Sequence, residues 1–302
     1  MLRKPLPESL HRDGVLQIPS CLVEPLREEL AARGLLEDAS VAHPPEKELF
    51  GGESDEVTLR HFAQRFKTSA ARVGHVVLNP NGLFEPVSTD LLATLFDGSV
   101  AILDIPCGSG GGLLGLLSTV AALRAEGWLP RLPVDVQVAA GDCSAKAREV
   151  HACLLSRLQT PLADVGMRLT WRHLEWDVTD SFSTAALIDH WFLQCPECEE
   201  YLVFVSAFSG FADKHTEHVS RAFQHITERL HNRAALMAWI EPDMNQSRRF
   251  LPRITDHLTK WFSSFFGLSS PTEAERFRYC HPFTDCDPIR GQANVRAFKK
   301  EC

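Results

Sequence analysis

Four acids in this chain stand where an expected strand stops. Asp104 ends Val100-Ala-Ile-Leu103, Asp142 ends Ala139-Ala140-Gly141, Asp177 follows Glu175-Trp176, and Glu241 follows Trp239-Ile240. A carboxylate at such a point can hold a cation or accept hydrogen bonds from hydroxyl and amino groups. Asp104 runs into Ile-Pro106-Cys107-Gly108-Ser109-Gly110-Gly-Gly112, a glycine-rich stretch whose backbone can turn tightly and approach a ligand that a β-carbon would push away. So many glycines cost backbone entropy with no evident packing gain, which points to a ligand. Asp142, followed by Cys143 and Ser144, is placed to accept both hydroxyls of a ribose. Phe208 and Phe211, after Ser206-Ala207, could wall off a cation and orient an acceptor. His215 and Glu241 are the candidate proton-handling groups.

The elements that must position these residues are legible as alternation. Val100 to Leu103 are apolar without a period of two, as in a parallel strand covered on both faces. Strands are expected at about 100–104, 134–140, 168–176, 201–207 and 234–240. Helices are expected at about 111–126, 144–159, 183–192, 214–231 and 247–266. This alternation predicts a doubly wound, mostly parallel α/β sheet. Two last strands, near Arg276 to His281 and Asn294 to Lys299, have no helix between them and predict a terminal antiparallel hairpin. Ser144 is expected to cap the second helix, and Asp180 to sit in a loop or cap the third. Residues 124 to 132 look inserted between the glycine loop and Asp142. Residues 1–98 differ: they predict a helical cap or substrate region, with helices over Glu24–Arg33 and Glu56–Val73 and a short one over Asp90–Phe96 capped by Ser88 or Thr89. Between the first two lie charged, Pro- and Gly-containing stretches at 42–47 and 51–55. Residues 99–302 would hold the sheet.

Gly110, Gly112 and Gly115 spell G-x-G-x-x-G, which alone suggests a dinucleotide and its pyrophosphate. Asp104 would repel a phosphate and attract an ammonium group. The string Asp104-x-x-x-Gly108-x-Gly110 resembles motif I of the class I S-adenosylmethionine (SAM) dependent methyltransferases. The resemblance spans roughly residues 99 to 299 and implies a seven-stranded Rossmann-like sheet. It also implies that Asp104, Pro106, Cys107, Gly108, Ser109 and Gly110 cradle the amino-acid end of SAM, with Asp142 and Cys143 at the ribose. Asp177 and Val178 would then meet the adenine, and Ser206 and Ala207 would face the methyl group, with Phe208 and Phe211 beside the acceptor. The Asn/Asp-Pro-Pro-Tyr string of many amino-methylating enzymes is absent after the fourth strand. An NAD(P)-dependent oxidoreductase, or a methyltransferase-like binding protein without turnover, stays open as an alternative.

The formal net charge of -8 argues against a broad nucleic-acid surface and favours a small molecule or a protein as acceptor. No apolar run is long enough to cross a bilayer, and the start of the chain lacks the apolar core of a secretory signal. Nine scattered cysteines fit reduced thiols, so a cytoplasmic enzyme is expected. Cys195-Pro-Glu-Cys198 has no second pair at zinc-ribbon spacing, so no metal is expected.

Overall fold

The structure is a computed structural model that describes residues 5–41, 52, 54–195, 197–262 and 267–300. The stretch at 42–47, part of the stretch at 51–55, Pro196 and the end expected for the fifth helix lie outside the described residues.

The chain opens with two short strands, β1 (His11–Arg12) and β2 (Val15–Leu16), then helices α1 (Ser20–Ala32), α2 (Leu36–Ala39), α3 (Asp55–Leu78) and α4 (Glu85–Thr94). Strand and helix then alternate: β3 (Gly98–Asp104), α5 (Gly111–Ala125), β4 (Val134–Asp142), α6 (Ala145–Ala163), β5 (Met167–Glu175), α7 (Ser181–Gln194) and β6 (Glu200–Ser206). After a short helix α8 (Ser209–Ala212) come α9 (Thr216–Arg229), β7 (Ala235–Glu241) and α10 (Asn245–Phe262). The chain ends on β8 (Gly267–Tyr279) and β9 (Ile289–Lys300). All of these strands join one sheet in the order β1-β2-β8-β9-β7-β6-β3-β4-β5.

From β5 to β7 the sheet is parallel. Its order reverses between β3 and β6, and in such sheets ligands bind at this switch point, outside the carboxyl ends of the strands. β9 then runs antiparallel to both β7 and β8. The alternating, parallel core and the closing hairpin follow the sequence. The seven-strand expectation does not hold: the described residues make nine strands, because β1 and β2 extend the sheet beyond β8 through a single pairing of Leu16 with Tyr279. Two-residue strands carry no periodicity that a sequence could reveal.

Both faces of the parallel sheet are covered. Val100 and Ile102 turn to a core shared with α3, α5 and α6, while Ala101 and Leu103 turn to a core shared with α7 and α9. This double burial is why β3 reads as a continuous apolar run. The first core takes in Leu22 and Leu26 of α1 and Phe62 and Phe66 of α3, so residues before and after 98 share one interior. α3 lies along α5 and runs in the same direction. The β-carbon that Gly111 lacks would meet Phe66 and Ser69, that of Gly115 would meet Ala70, and that of Gly74 would meet Thr119.

Other differences from the sequence are local. α3 extends past Val73 to Leu78 and stops on Asn79 in the left-handed conformation, φ 45°. α4 starts at Glu85 rather than Asp90, with proline in its first turn. Ser88 is therefore inside the helix, its hydroxyl donating to Val77 O at 2.6 Å, and caps nothing. The connection at 124–132 is anchored from within. Arg124 is buried and its guanidinium donates to the carbonyls of Leu132, Val165, Leu95 and Phe96. No helix among the described residues is long and apolar enough to cross a membrane.

Candidate functional site

The ends of β3, β4, β5, β6 and β7 bring the singled-out residues to one edge of the sheet. The glycine loop leaves β3 at Asp104 and turns between Cys107 and Gly110, whose N–H donates to Cys107 O at 2.9 Å. Cys107 N–H donates to Gly141 O, also at 2.9 Å, which fixes the loop to the end of β4. Gly108 and Gly110 both take positive φ, 50° and 89°. L-residues avoid this region, so glycine is needed at both.

Asp142 joins the loop to the next helix. One carboxylate oxygen accepts from Gly108 N–H at 2.9 Å and the other from Ser144 N–H at 2.8 Å. Ser144 caps α6 as expected, accepting from Ala147 N–H at 3.2 Å. Burial raises the Asp142 pKa, while the Ser144 and Gly108 amides pull it back. The N-terminal region closes on this turn. Thr58 Oγ1 lies 3.4 Å from Ser144 Oγ, and Cys143 Sγ lies 3.5 Å from where a β-carbon on Gly52 would sit.

Asp104 is only 2% exposed, and its Oδ2 makes no hydrogen bond. Burial, and then the charge of Asp142, hold its pKa well above the usual carboxylate value. A cation at this acid would restore the ionised form. His151 of α6 stands beside it, Nδ1 4.0 Å from Asp104 Oδ2.

Asp177 is exposed and turns its own loop, accepting from Thr179 N–H at 2.8 Å and Thr179 Oγ1 at 2.7 Å. Val178 beside it is buried in the second core. Asp180 caps α7, accepting from Phe182 N–H at 2.9 Å. At the end of β6, Ala207 adopts φ 55°, a left-handed conformation that costs a non-glycine residue roughly 1–2 kcal/mol. Such strain is characteristic of functional edges.

The aromatic residues form a stack from core to surface. Phe208 is buried against Trp239, centroids 6.2 Å apart; Phe211 lies on Phe208 at 5.9 Å, and His215 on Phe211 at 4.3 Å. Phe211 is 42% exposed and His215 is partly exposed, so a ligand could reach either. Glu241 is 0% exposed, and its Oε1 accepts from Phe208 N–H at 2.7 Å, Ser209 N–H at 3.2 Å and Trp239 Nε1–H at 2.6 Å. It holds the start of α8 and thereby the turn after β6. Burial raises its pKa, opposed by these three donors.

The glycines after Gly110 do have packing reasons: a β-carbon on Gly112 would sit 2.3 Å from Ser206 Oγ, and one on Gly115 2.7 Å from Ala70 O. His151 falls on the buried face of α6 with Ala147, Leu154 and Leu158, a spacing visible in the sequence, and His173 lies near the end of β5. A cavity of about 630 Å³ lies elsewhere, lined by residues including Gln17, Cys21, Ala122 and Cys280. It borders the far end of α5 rather than the glycine loop at its start.

The Cys195 and Cys198 thiols are both buried, and their pKa values are raised by that burial, Cys195 to about 12. They are therefore inert thiols rather than nucleophiles.

His281 gives a pH prediction. It is buried, contacts Ala39 O at 3.1 Å through Nε2, and is lowered to about 4 by burial and then by Lys67. In the unfolded chain it titrates at its ordinary value of 6.5. The unfolded state then binds the proton more tightly, so stability is full above that value and is lost as pH falls towards 4. Between pH 7 and pH 5 this one group is expected to cost at most about 2 kcal/mol. Urea titrations of wild type and His281→Gln at both pH values check it: the variant should lose less stability on acidification.

No protein-family model matches the chain, and no curated protein does. Among solved structures it is similar to a loganic acid methyltransferase with SAH, at 8% identity and a TM-score of 0.41, covering 84% of this chain and 99% of that one. It is also similar to a modification subunit of a putative type I restriction enzyme from Vibrio vulnificus YJ016, at 16% identity and a TM-score of 0.32. That overlap covers 71% of this chain and 43% of the other.

Proposed function

We propose that the chain is a SAM-dependent methyltransferase. The observation that carries this reading is Asp104, a buried acid with an unpartnered oxygen, at the strand end where the glycine loop begins. An ammonium group would favour the ionised form of this buried acid and pair with it, which a diphosphate cannot do. The sheet supports the same choice. After its fifth parallel strand comes antiparallel β9, where the dinucleotide-binding order continues with a sixth strand. The G-x-G-x-x-G string loses its force as a rival signal, since Gly112 and Gly115 are taken up by contacts with β6 and α3.

The residues present fit the cofactor. Asp104 and the turn from Pro106 to Gly110 would hold its amino-acid end, Asp142 with Cys143 its ribose, and Asp177 with Val178 its adenine. Bound SAM supplies an already activated methyl group. The chain then has to align an acceptor, exclude water and, where the acceptor is protonated, remove a proton. Ser206 and strained Ala207 would border the methyl group. Phe211 would meet the acceptor, with Phe208 packed behind it. His215, stacked on Phe211, is the candidate base, and Glu241 acts through the turn it holds. The N-terminal region, in contact with the Asp142 turn, would form the cover over the cleft. The net charge favours a small molecule or a protein as acceptor over nucleic acid.

Calorimetric titration with SAM and with NAD tests the cofactor, and incubation with radiolabelled SAM and fractionated lysate tests transfer. Tight NAD binding with no response to SAM would overturn the reading. Asp142→Ala is expected to weaken SAM binding by about 1–3 kcal/mol through the lost hydroxyl contacts. The same change leaves the Gly108 amide without its acceptor, so the melting temperature should also fall. Unchanged affinity in this variant would place the ribose elsewhere.

A further inference from the structure

We propose that Cys107, His151 and His173 bind one zinc ion beneath the glycine loop. The three residues come from separate elements: the loop after β3, the first half of α6 and the carboxyl-end part of β5. One potential ligand atom from each lies within 4.8 Å of the other two.

The imidazoles are left without their usual satisfaction. His151 is 0% exposed, and neither of its ring nitrogens has a hydrogen-bond partner. His173 Nε2 is also unpartnered and buried. A neutral imidazole carries one N–H and one lone pair, and buried polar groups are nearly always paired. The two rings meet edge to face with centroids 5.0 Å apart. Cys107 is buried next to them, and its Sγ is 3.5 Å from Gly108 O.

The donor set narrows the ion. One thiolate with two imidazoles excludes magnesium and calcium, which take oxygen ligands, and suits a softer ion such as zinc or copper, of which zinc needs no redox partner. In a tetrahedral zinc site such ligand atoms stand about 3.3–3.6 Å apart. Closing the three side chains from their present spacing needs side-chain movement and no change of fold. Asp104 Oδ2, 4.0 Å from His151 Nδ1, can orient that ring when its other nitrogen takes the ion. A carboxylate accepts at both oxygens, so this role and the holding of an ammonium group are compatible. Gly110 makes room for the arrangement: a β-carbon there would sit 2.3 Å from His151 Cδ2. Zinc in this position would tie the turn at Cys107 to α6 and β5, fixing the loop from below.

The test uses the full chain, prepared without a histidine tag or chelator, incubated with excess zinc and desalted. Elemental analysis should find roughly one zinc per chain. Cys107→Ser and His173→Gln should each weaken zinc binding by about tenfold or more in competition with a chromophoric chelator. Cobalt in place of zinc should give a thiolate-to-cobalt absorption band that Cys107→Ser abolishes. Far-UV circular dichroism checks folding, and His173→Gln, at a half-buried strand position, carries the same reading if Cys107→Ser does not fold. Zinc far below one per chain after loading overturns the proposal. So does zinc that survives both variants at wild-type affinity, or zinc lost instead on Cys195→Ser. All measurements are made without SAM, so failure here leaves the methyltransferase reading untouched, and the reverse holds too.

Discussion

Gly108→Val is expected to reduce SAM affinity at least about a hundredfold, roughly 2.8 kcal/mol, while leaving the sheet folded. Gly108 has φ 50°, and nothing lies within 4 Å of the point where its β-carbon would be. The added β-carbon meets no protein atom, and the side chain would stand in the ground that the proposed cofactor takes. The cost to the fold is then confined to backbone strain, about 1–2 kcal/mol. The Gly108 amide already engages Asp142 at 2.9 Å, so the same substitution also disturbs the acid assigned to the ribose. Gly127→Val is the control. Gly127 has φ 66° and equally open surroundings, but it follows the far end of α5. It should lose a similar amount of stability and keep its affinity for SAM. Gly110→Val should behave differently again, because its side chain would collide with His151 and damage the fold. Calorimetry with SAM and urea unfolding separate the three outcomes. Near wild-type affinity in Gly108→Val would mean that the loop is not the cofactor site.

What the sequence made legible follows from range. The alternation from β3 to β7, the closing hairpin and the Ser144 cap depend on neighbours a few residues apart, and they could be read directly. The carboxyl edge could be read as well, because each acid there closes or follows an expected strand. What escaped depends on distant partners. β1 and β2 pair with each other and join the sheet only where Leu16 lies beside Tyr279. Glu241 could be read either as meeting an acceptor or as holding a neighbouring segment, and only the fold brings the Phe208 and Ser209 amides and the Trp239 indole to its Oε1. Phe208 and Phe211 looked equivalent, and only packing on Trp239 makes one a buried support and leaves the other at the surface. The second half of the glycine run was ambiguous for the same reason. A glycine needed by a ligand and a glycine needed by a neighbouring helix leave the same letter in the sequence.

Gly115 belongs to the second kind, and its replacement gives the largest expected loss of stability. In an exposed helix interior, Gly→Ala would gain up to about 1 kcal/mol from helix propensity. At Gly115 the added β-carbon would lie 2.7 Å from both Cα and the carbonyl oxygen of Ala70. Those are backbone atoms in the middle of a 24-residue helix, and they cannot rotate aside as a side chain can. Either α3 moves away from α5 or both helices bend, and the first core loosens around Phe66 and Leu116, which pack there. Overpacking of this kind costs about 1–3 kcal/mol for small additions. Gly115→Ala is therefore expected to destabilise the protein despite its better propensity, and Gly115→Val by about 3 kcal/mol or more. Gly74→Ala sets the scale from the facing helix. Its β-carbon would meet the Thr119 hydroxyl at 3.2 Å, a side-chain atom that can shift, so its loss should be smaller. Urea unfolding midpoints for the three variants test the order. The effect should also reach the site, because the same α3 that packs on Gly115 carries Thr58 to the Ser144 cap. A Gly115→Ala protein as stable as wild type would show that the two helices do not pack with their backbones in contact. The N-terminal region would then lose the anchor that sets it over the glycine loop.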